Sequence, residues 1–203
     1  RMYAYDEYFV FPWSLSLEDT PISSVLGPTI VDSGTTFSYF PAAVYDGLVR
    51  ELHAYCEAHD GCGAEREGSE CWRVREKDPK VPGMALLLAE QGSHLSTSDE
   101  ELWELGQPDR PKEDPLRHFP TLRLTLEGNV TVHWYPEAYL HVRNEMMYPD
   151  VYCQGFKRHE KTETELGVSW MLHKDIIFDL SNSRLGVADA KCPEHYAQPD
   201  AKG

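Results

Sequence analysis

The chain has 203 residues, of which 41% are hydrophobic, and a formal net charge of −15. This length allows one large domain or two small ones with a buried core. The acidic balance argues against nucleic acid and anionic membranes as partners, because both require a basic surface. The sequence has no apolar run of about 18 residues or more, so we expect no transmembrane helix in this chain. Residues 1–7 do not resemble a signal peptide, so we expect the chain to begin mid-protein or after processing.

The first predicted strand covers residues 8–17, which are aromatic and β-branched and end in alternation. Pro12 cannot donate to a ladder, so part of this strand is expected at an edge or a bulge. Gly27-Pro28 breaks the chain, and a short apolar strand, Thr29–Asp32, follows it.

A helix is expected to begin at Pro41, whose fixed φ suits a first helical turn, and to run to about Tyr55. Its apolar face repeats at every fourth residue, namely Val44, Leu48 and Leu52. Cys56 and Cys62 bracket the turn after this helix, and their short separation predicts a local disulfide.

Residues 73–118 lose any clear periodicity and are rich in proline and charge. Within them only Met84–Ala89 is apolar enough for a short strand or helix. Because so long a loop is unusual inside a compact domain, we interpret it as a partly disordered insertion. A partner-docking loop is the alternative.

The rest of the chain predicts β-structure, and the whole reads as mainly β with a few short helices. Glu127-Gly128-Asn129 separates two alternating runs, Leu122–Leu126 and Val130–Trp134, which predicts a hairpin. The polar tail after Cys192-Pro193 is expected to fray. The other predicted segments are Tyr139–Val142, Val151–Cys153, Leu166–Val168, Asp175–Leu180 and Arg184–Ala188.

The cysteines and one sequon favour an oxidising, secretory compartment. Asn129-Val130-Thr131 is a glycosylation sequon in an expected turn, where an acceptor must be exposed. There is no Cys-x-x-Cys and no histidine pair at zinc spacing, so we expect no metal, and we expect no cofactor. The odd cysteine count leaves one thiol free or paired outside the chain; the five are Cys56, Cys62, Cys71, Cys153 and Cys192.

Asp32 stands between an apolar strand and the turn Ser33-Gly34-Thr35-Thr36. An unpaired, buried carboxylate costs several kcal/mol or changes its protonation. Placing one at the end of such a strand, followed by hydroxyls and a glycine, therefore indicates that this carboxylate has a functional role. The alternative is a turn that only caps the strand.

Seven motifs follow one another along the chain, namely Val31–Thr36, Cys71-Trp72, Phe119-Pro120, Trp134–Leu140, Tyr152-Cys153, Leu166–Ser169 and Ile177–Ala188. This ordered series resembles the C-terminal lobe of pepsin-like aspartic proteases, most of all the plasmepsin V group of apicomplexan parasites. The resemblance implies a C-terminal catalytic lobe over residues 1–192, with residues 193–203 as its tail and with the N-terminal lobe absent from this chain.

This resemblance implies a role for each residue of the turn. Asp32 is one of two catalytic carboxylates, the other coming from the N-terminal lobe. Ser33 reaches across to that lobe, and Thr35 hydrogen-bonds Asp32. Gly34, Thr35 and Thr36 lie where substrate backbone is held.

Behind the turn, Leu166-Gly167 matches an apolar-apolar-Gly support element; an ordinary strand-ending glycine is the alternative. The resemblance also implies a Cys71–Cys153 disulfide and a link from Cys192 to upstream sequence.

The same resemblance implies a processing endopeptidase of the endoplasmic reticulum or Golgi that cuts exported proteins at an Arg-x-Leu-like motif. Its membrane anchor would lie beyond the end of this chain. Three rivals remain: a retroviral-type homodimer, a serine protease using Ser33, and an inactive pepsin-like module for binding or inhibition. The first is contradicted by length, and the second by the lack of a Gly-x-Ser-x-Gly motif and of a histidine in a recognisable context.

Overall fold

The computed structural model describes residues 3–4, 8–75, 114–144 and 146–190. Most of the expected insertion, residues 76–113, lies outside this part of the chain, as do Cys192 and the tail 193–203. The edges of the insertion are described. Arg73 and Val74 close a strand, and Leu116 is buried.

The described residues are mainly β, as the sequence predicts. The helices are α1 (Ala42–Ala58), α2 (Pro136–Tyr139) and α3 (Val168–Met171), with a 3₁₀ turn at Asp60–Gly63. The strands are β1 (Tyr3–Ala4), β2 (Tyr8–Val10), β3 (Pro12–Leu17), β4 (Thr20–Ser23), β5 (Thr29–Val31), β6 (Ser38–Pro41), β7 (Ala64–Glu67), β8 (Cys71–Val74), β9 (Leu122–Leu126), β10 (Val130–Trp134), β11 (Leu140–Asn144), β12 (Tyr148–Gln154), β13 (Phe156–His159), β14 (Thr164–Leu166), β15 (Lys174–Asp179) and β16 (Arg184–Asp189).

A six-stranded sheet in the order β1-β2-β5-β14-β6-β13 carries the Asp32 turn. Its central strand, β14, comes from late in the chain yet lies between β5 and β6. It runs parallel to β5 and antiparallel to β6, with Glu165 opposite both Ile30 and Tyr39. The connection from β5 to β6 therefore passes over the end of β14.

Two four-stranded sheets, β10-β9-β3-β4 and β11-β12-β8-β7, and the β15–β16 ribbon complete the fold. The predicted hairpins β9–β10 and β15–β16 are present, with Val130 opposite Leu126 in the first. The β3–β9 register shifts between Pro12 and Ser14, which is the bulge expected at that proline. Six strands are absent from the sequence prediction, namely β1, β4, β6, β7, β8 and β13.

Helix α1 forms where the apolar repeat predicts it, but it begins one residue later and extends to Ala58. Pro41 is its N-cap and the last residue of β6, rather than its first helical residue. The buried face includes Leu48 and Leu52, both fully inaccessible to solvent. Cys56 at the helix end is joined to Cys62 by the expected local disulfide.

Two further boundaries differ from the sequence prediction. Tyr139 closes α2 instead of opening a strand, and Val168 begins α3 instead of continuing β14. At both boundaries the residue makes a hydrogen bond to a distant part of the chain, which local sequence preferences do not predict. Tyr139 donates its hydroxyl to the Pro120 carbonyl at 2.6 Å.

The core is built from large aromatic side chains shared by the sheets. The centre of the Trp134 ring is 6.3 Å from that of Phe40 and 6.0 Å from that of Phe156, and all three side chains are buried. Its indole N–H donates to the Ser169 carbonyl at 2.8 Å. Because buried indoles need a hydrogen-bond partner, this contact fixes α3 against β10.

A disulfide joins Cys71 on β8 to Cys153 on β12, where the two residues stand directly opposite each other. This is the pair implied by the resemblance. Within the described residues, none of the helices is both long and apolar enough to cross a membrane.

Candidate active site

The Asp32 turn begins where β5 ends at Val31. The Asp32 backbone N–H donates to the Leu166 carbonyl at 3.0 Å, which extends the β5–β14 ladder by one step. Hydrogen bonds to β14 therefore hold the whole of β5 in place. The side chain of Asp32 lies at the end of the strand and is half-exposed.

Two donors from the same turn hold the Asp32 carboxylate. The Gly34 N–H donates to Oδ1 at 2.8 Å, and the Thr35 hydroxyl donates to Oδ2 at 2.7 Å. The hydroxyl of Thr35 first, and the N–H of Gly34 second, lower the pKa of Asp32 below its ordinary value, against a small opposing effect of burial. The turn therefore favours the ionised carboxylate and leaves one side of it open.

A side chain at position 34 would crowd the Asp32 carboxylate. A Cβ at Gly34 would lie 3.2 Å from Oδ1 of Asp32, closer than ordinary van der Waals contact. A side chain there would push the carboxylate away from the N–H that binds it.

The turn is supported from behind by the chain that leaves β14. The N–H groups of Val168 and Ser169, in the first turn of α3, donate to the carbonyls of Thr35 and Thr36 at 2.7 and 3.0 Å. At Gly167 a Cβ would lie 2.5 Å from the Thr35 oxygen and 2.3 Å from that of Phe37. The glycine is required by close backbone approach, which is the support role implied by the resemblance.

A pair of buried serines completes this support. The Ser38 hydroxyl accepts the Gly167 N–H at 3.2 Å, and the Ser38 backbone N–H donates to Ser169 Oγ at 3.1 Å. The two hydroxyls also lie 3.1 Å apart. The start of β6 and the start of α3 are thus held together beneath the turn.

Sequence reasoning missed Glu165, which brings a second carboxylate to the site. Its Oε1 lies 2.9 Å from Thr35 Oγ1, the same hydroxyl that binds Asp32. The signal was present in the sequence. The segment before Gly167 reads Glu-Leu rather than two apolar residues, so a charged side chain occupies the first apolar position of the support element.

The remaining predicted site residues are distributed as follows. Ser33 and Thr36 have exposed side chains on the turn beside Asp32. Asn129 is exposed in the β9–β10 turn with φ of 61°, in a different sheet from Asp32.

A cluster of one cationic and two aromatic side chains, namely Lys157, Phe37 and His141, lies next to the Asp32 turn. The Lys157 ammonium is 5.4 Å from the centre of the Phe37 ring and bonds Glu70 Oε2 at 2.5 Å. The His141 ring is 5.4 Å from the same phenyl ring. Burial first, and the charge of Lys157 second, lower the pKa of His141, which favours a neutral imidazole beside Phe37.

The β14 strand inserted between β5 and β6, the Asp-Ser-Gly-Thr turn and the glycine beneath it are the features by which this chain resembles the C-terminal lobe of pepsin-like aspartic proteases. Residues 106–189 match the family model described as "Xylanase inhibitor C-terminal". The chain is 22% identical to plasmepsin V of Plasmodium falciparum over 174 residues, 82% of this chain and 27% of that protein.

Two further relatives are proteases by name. Aspartic protease 5 of Toxoplasma gondii is 31% identical over 87 residues, 42% of this chain and 9% of that protein. Aspartic proteinase 39 of Arabidopsis thaliana is 28% identical over 192 residues, 91% of this chain and 31% of that protein. The chain thus spans less than a third of the length of each of these relatives.

Proposed function

We propose that this chain is half of a bilobal aspartic endopeptidase in which Asp32 is one of the two catalytic carboxylates. The observation that carries the proposal is the Asp32 carboxylate itself, held by the Gly34 N–H and the Thr35 hydroxyl and open on its remaining side. The second carboxylate comes from an N-terminal lobe, which forms the other wall of the cleft.

Peptide hydrolysis without a metal needs an activated water and a polarised carbonyl. Two carboxylates that share one proton supply both, because the ionised group accepts a proton from water while the protonated group donates to the carbonyl oxygen. Like charges so close resist double ionisation, so the pair titrates as a unit. The donors around Asp32 lower its pKa, which favours the ionised form of this member of the pair.

The rest of the turn binds substrate and the other lobe. In this proposal the backbone of Gly34 and the side chains of Thr35 and Thr36 hold the substrate backbone beside Asp32. Ser33 reaches to the N-terminal lobe. The exposure of Ser33 and Thr36 agrees with these roles, since both side chains are available at the surface.

We extend the proposal to a processing role in the secretory pathway, in the endoplasmic reticulum or Golgi, at an Arg-x-Leu-like motif. Its support is the similarity to plasmepsin V and to aspartic protease 5. Two disulfides are consistent with an oxidising compartment. In the same proposal Asn129 carries a glycan, Cys192 pairs with upstream sequence, and a membrane anchor lies outside this chain.

An inactive pepsin-like module that binds or inhibits another protein is the competing function. The name of the matching family model refers to an inhibitor. Against it, the turn keeps a carboxylate with both of its local donors and a glycine where a Cβ would crowd that carboxylate. A lobe that only binds another protein does not require this carboxylate, so we favour the protease.

The test is cleavage of a peptide library by the full-length protein and by its Asp32→Ala variant. Loss of a positioned acid–base group costs about 100-fold or more, so we expect Asp32→Ala to lose at least that factor in kcat/KM. Asp46→Ala, which removes an exposed carboxylate from α1, is the matched control and should cleave like the parent. Equal cleavage by parent and Asp32→Ala would reject the proposed function.

A further inference from the structure

The Thr35 hydroxyl stands between two carboxylates. Its oxygen is 2.7 Å from Asp32 Oδ2 and 2.9 Å from Glu165 Oε1. A threonine hydroxyl carries one hydrogen, and an ionised carboxylate can only accept. Thr35 can therefore donate to Asp32 or to Glu165, but not fully to both at once.

Glu165 is held in place by backbone pairing on both sides. It is the middle residue of β14, opposite Ile30 on β5 and Tyr39 on β6. Its neighbours Thr164 and Leu166 point into the core, so alternation puts Glu165 on the other face of the sheet, where it is half-buried. The contact with Thr35 thus comes from a fixed strand position rather than from a mobile surface side chain.

We propose that Glu165 is a positioning residue that sets the upper pH limit of the reaction by acting on Asp32 through Thr35. This inference rests on the proposed function. Glu165 competes for the hydrogen that Thr35 gives to Asp32. This competition weakens the bond that favours ionised Asp32, so the pair holds its shared proton more tightly and activity extends to higher pH.

Other charged groups face the same side of the sheet and must be separated from this effect. His159, Lys161 and Glu163 line an open recess together with Glu165, and its remaining walls are Phe9, Pro28 and Ile30. Tyr39 contributes its phenol from β6, with its ring 6.1 Å from that of His159. Removing a charge anywhere in this recess changes the local field, but only Glu165 among these recess residues bonds Thr35.

The experiment measures kcat/KM against pH for the full-length protein, for Glu165→Gln and for the control Glu163→Gln. Glutamine is of equal size, carries no charge and can donate an amide N–H to Thr35, which leaves the Thr35 hydrogen with Asp32. We expect the alkaline limb of the Glu165→Gln profile to move to lower pH by roughly one unit. KM should change little, and Glu163→Gln, which removes a charge from the same recess without breaking a bond to Thr35, should move the alkaline limb by less than Glu165→Gln does.

A second comparison tests the route through the hydroxyl. In a Thr35→Val background the competition no longer exists, so Glu165→Gln should move the alkaline limb by less than half as much as it does in the parent. If glutamine disturbs the strand, seen as a lowered Tm, Glu165→Met supplies an uncharged side chain of similar length for the same measurement.

Three results separate the inference from the proposed function. An unshifted or upward-shifted alkaline limb in Glu165→Gln, with Asp32→Ala inactive, overturns the inference and leaves the protease assignment standing. An undiminished shift in the Thr35→Val background also overturns it, because the effect then bypasses the hydroxyl. Activity that survives Asp32→Ala rejects the proposed function itself.

Discussion

Replacing Gly167 by alanine should disrupt the support beneath the Asp32 turn. The added Cβ would lie 2.3 Å from the Phe37 carbonyl oxygen and 2.5 Å from that of Thr35. Both are backbone atoms, so no side-chain rotation can relieve the overlap. The turn or the start of α3 must move instead.

The loss of stability in Gly167→Ala can be calculated from the contacts that this movement weakens. Overpacking of a tight site costs about 1–3 kcal/mol. The shift also strains the bonds from the Val168 and Ser169 N–H groups to Thr35 and Thr36, and each such bond contributes about 1 kcal/mol. We therefore expect Gly167→Ala to lower the free energy of unfolding by roughly 3–5 kcal/mol.

Urea unfolding of the full-length protein measures this, with Gly47→Ala as the matched control. Gly47 is also buried, but a Cβ there would meet Ile22 Cγ2 at an ordinary 3.4 Å. Alanine is favoured over glycine inside a helix by about 1 kcal/mol, so the control should be neutral or stabilising. Equal unfolding midpoints for the two variants would show that the close approach at Gly167 is not a constraint.

Two other perturbations have definite expected results. Thr35→Val removes the donor that most lowers the pKa of Asp32. The pKa of Asp32 should therefore rise, and a higher pH is needed to ionise it. We expect the acid limb of the kcat/KM profile to move to higher pH by about one unit. An unchanged acid limb would contradict that role. Replacing Cys71 and Cys153 by serine opens a link between residues 82 apart, and the chain-entropy cost is about 4 kcal/mol. The other disulfide, with cysteines six residues apart, should cost about half as much, and a reversed order in thermal melts would refute the entropic account.

Local chemistry was sufficient to predict several elements of this fold. The alternation on either side of Glu127-Gly128-Asn129 specifies the β9–β10 hairpin, because the turn and both strands are contiguous in sequence. The apolar residues at every fourth position likewise predict α1, because they too are close together in sequence. The missed strands have at most four residues, which is too short for a clear pattern. Some of them also depend on distant partners: β13, for example, pairs with β6.

The sequence by itself determined the Asp32 turn, since strand, carboxylate, glycine and threonine are adjacent and bond one another locally. Only the tertiary structure placed Glu165 against Thr35, although 130 residues separate them. That contact depends on β14 entering between β5 and β6, a pairing that non-local backbone hydrogen bonds select and no local pattern encodes. The proposed catalytic carboxylate can therefore be identified from the sequence, whereas the long-range contact of Glu165 with its turn can be identified only from the fold.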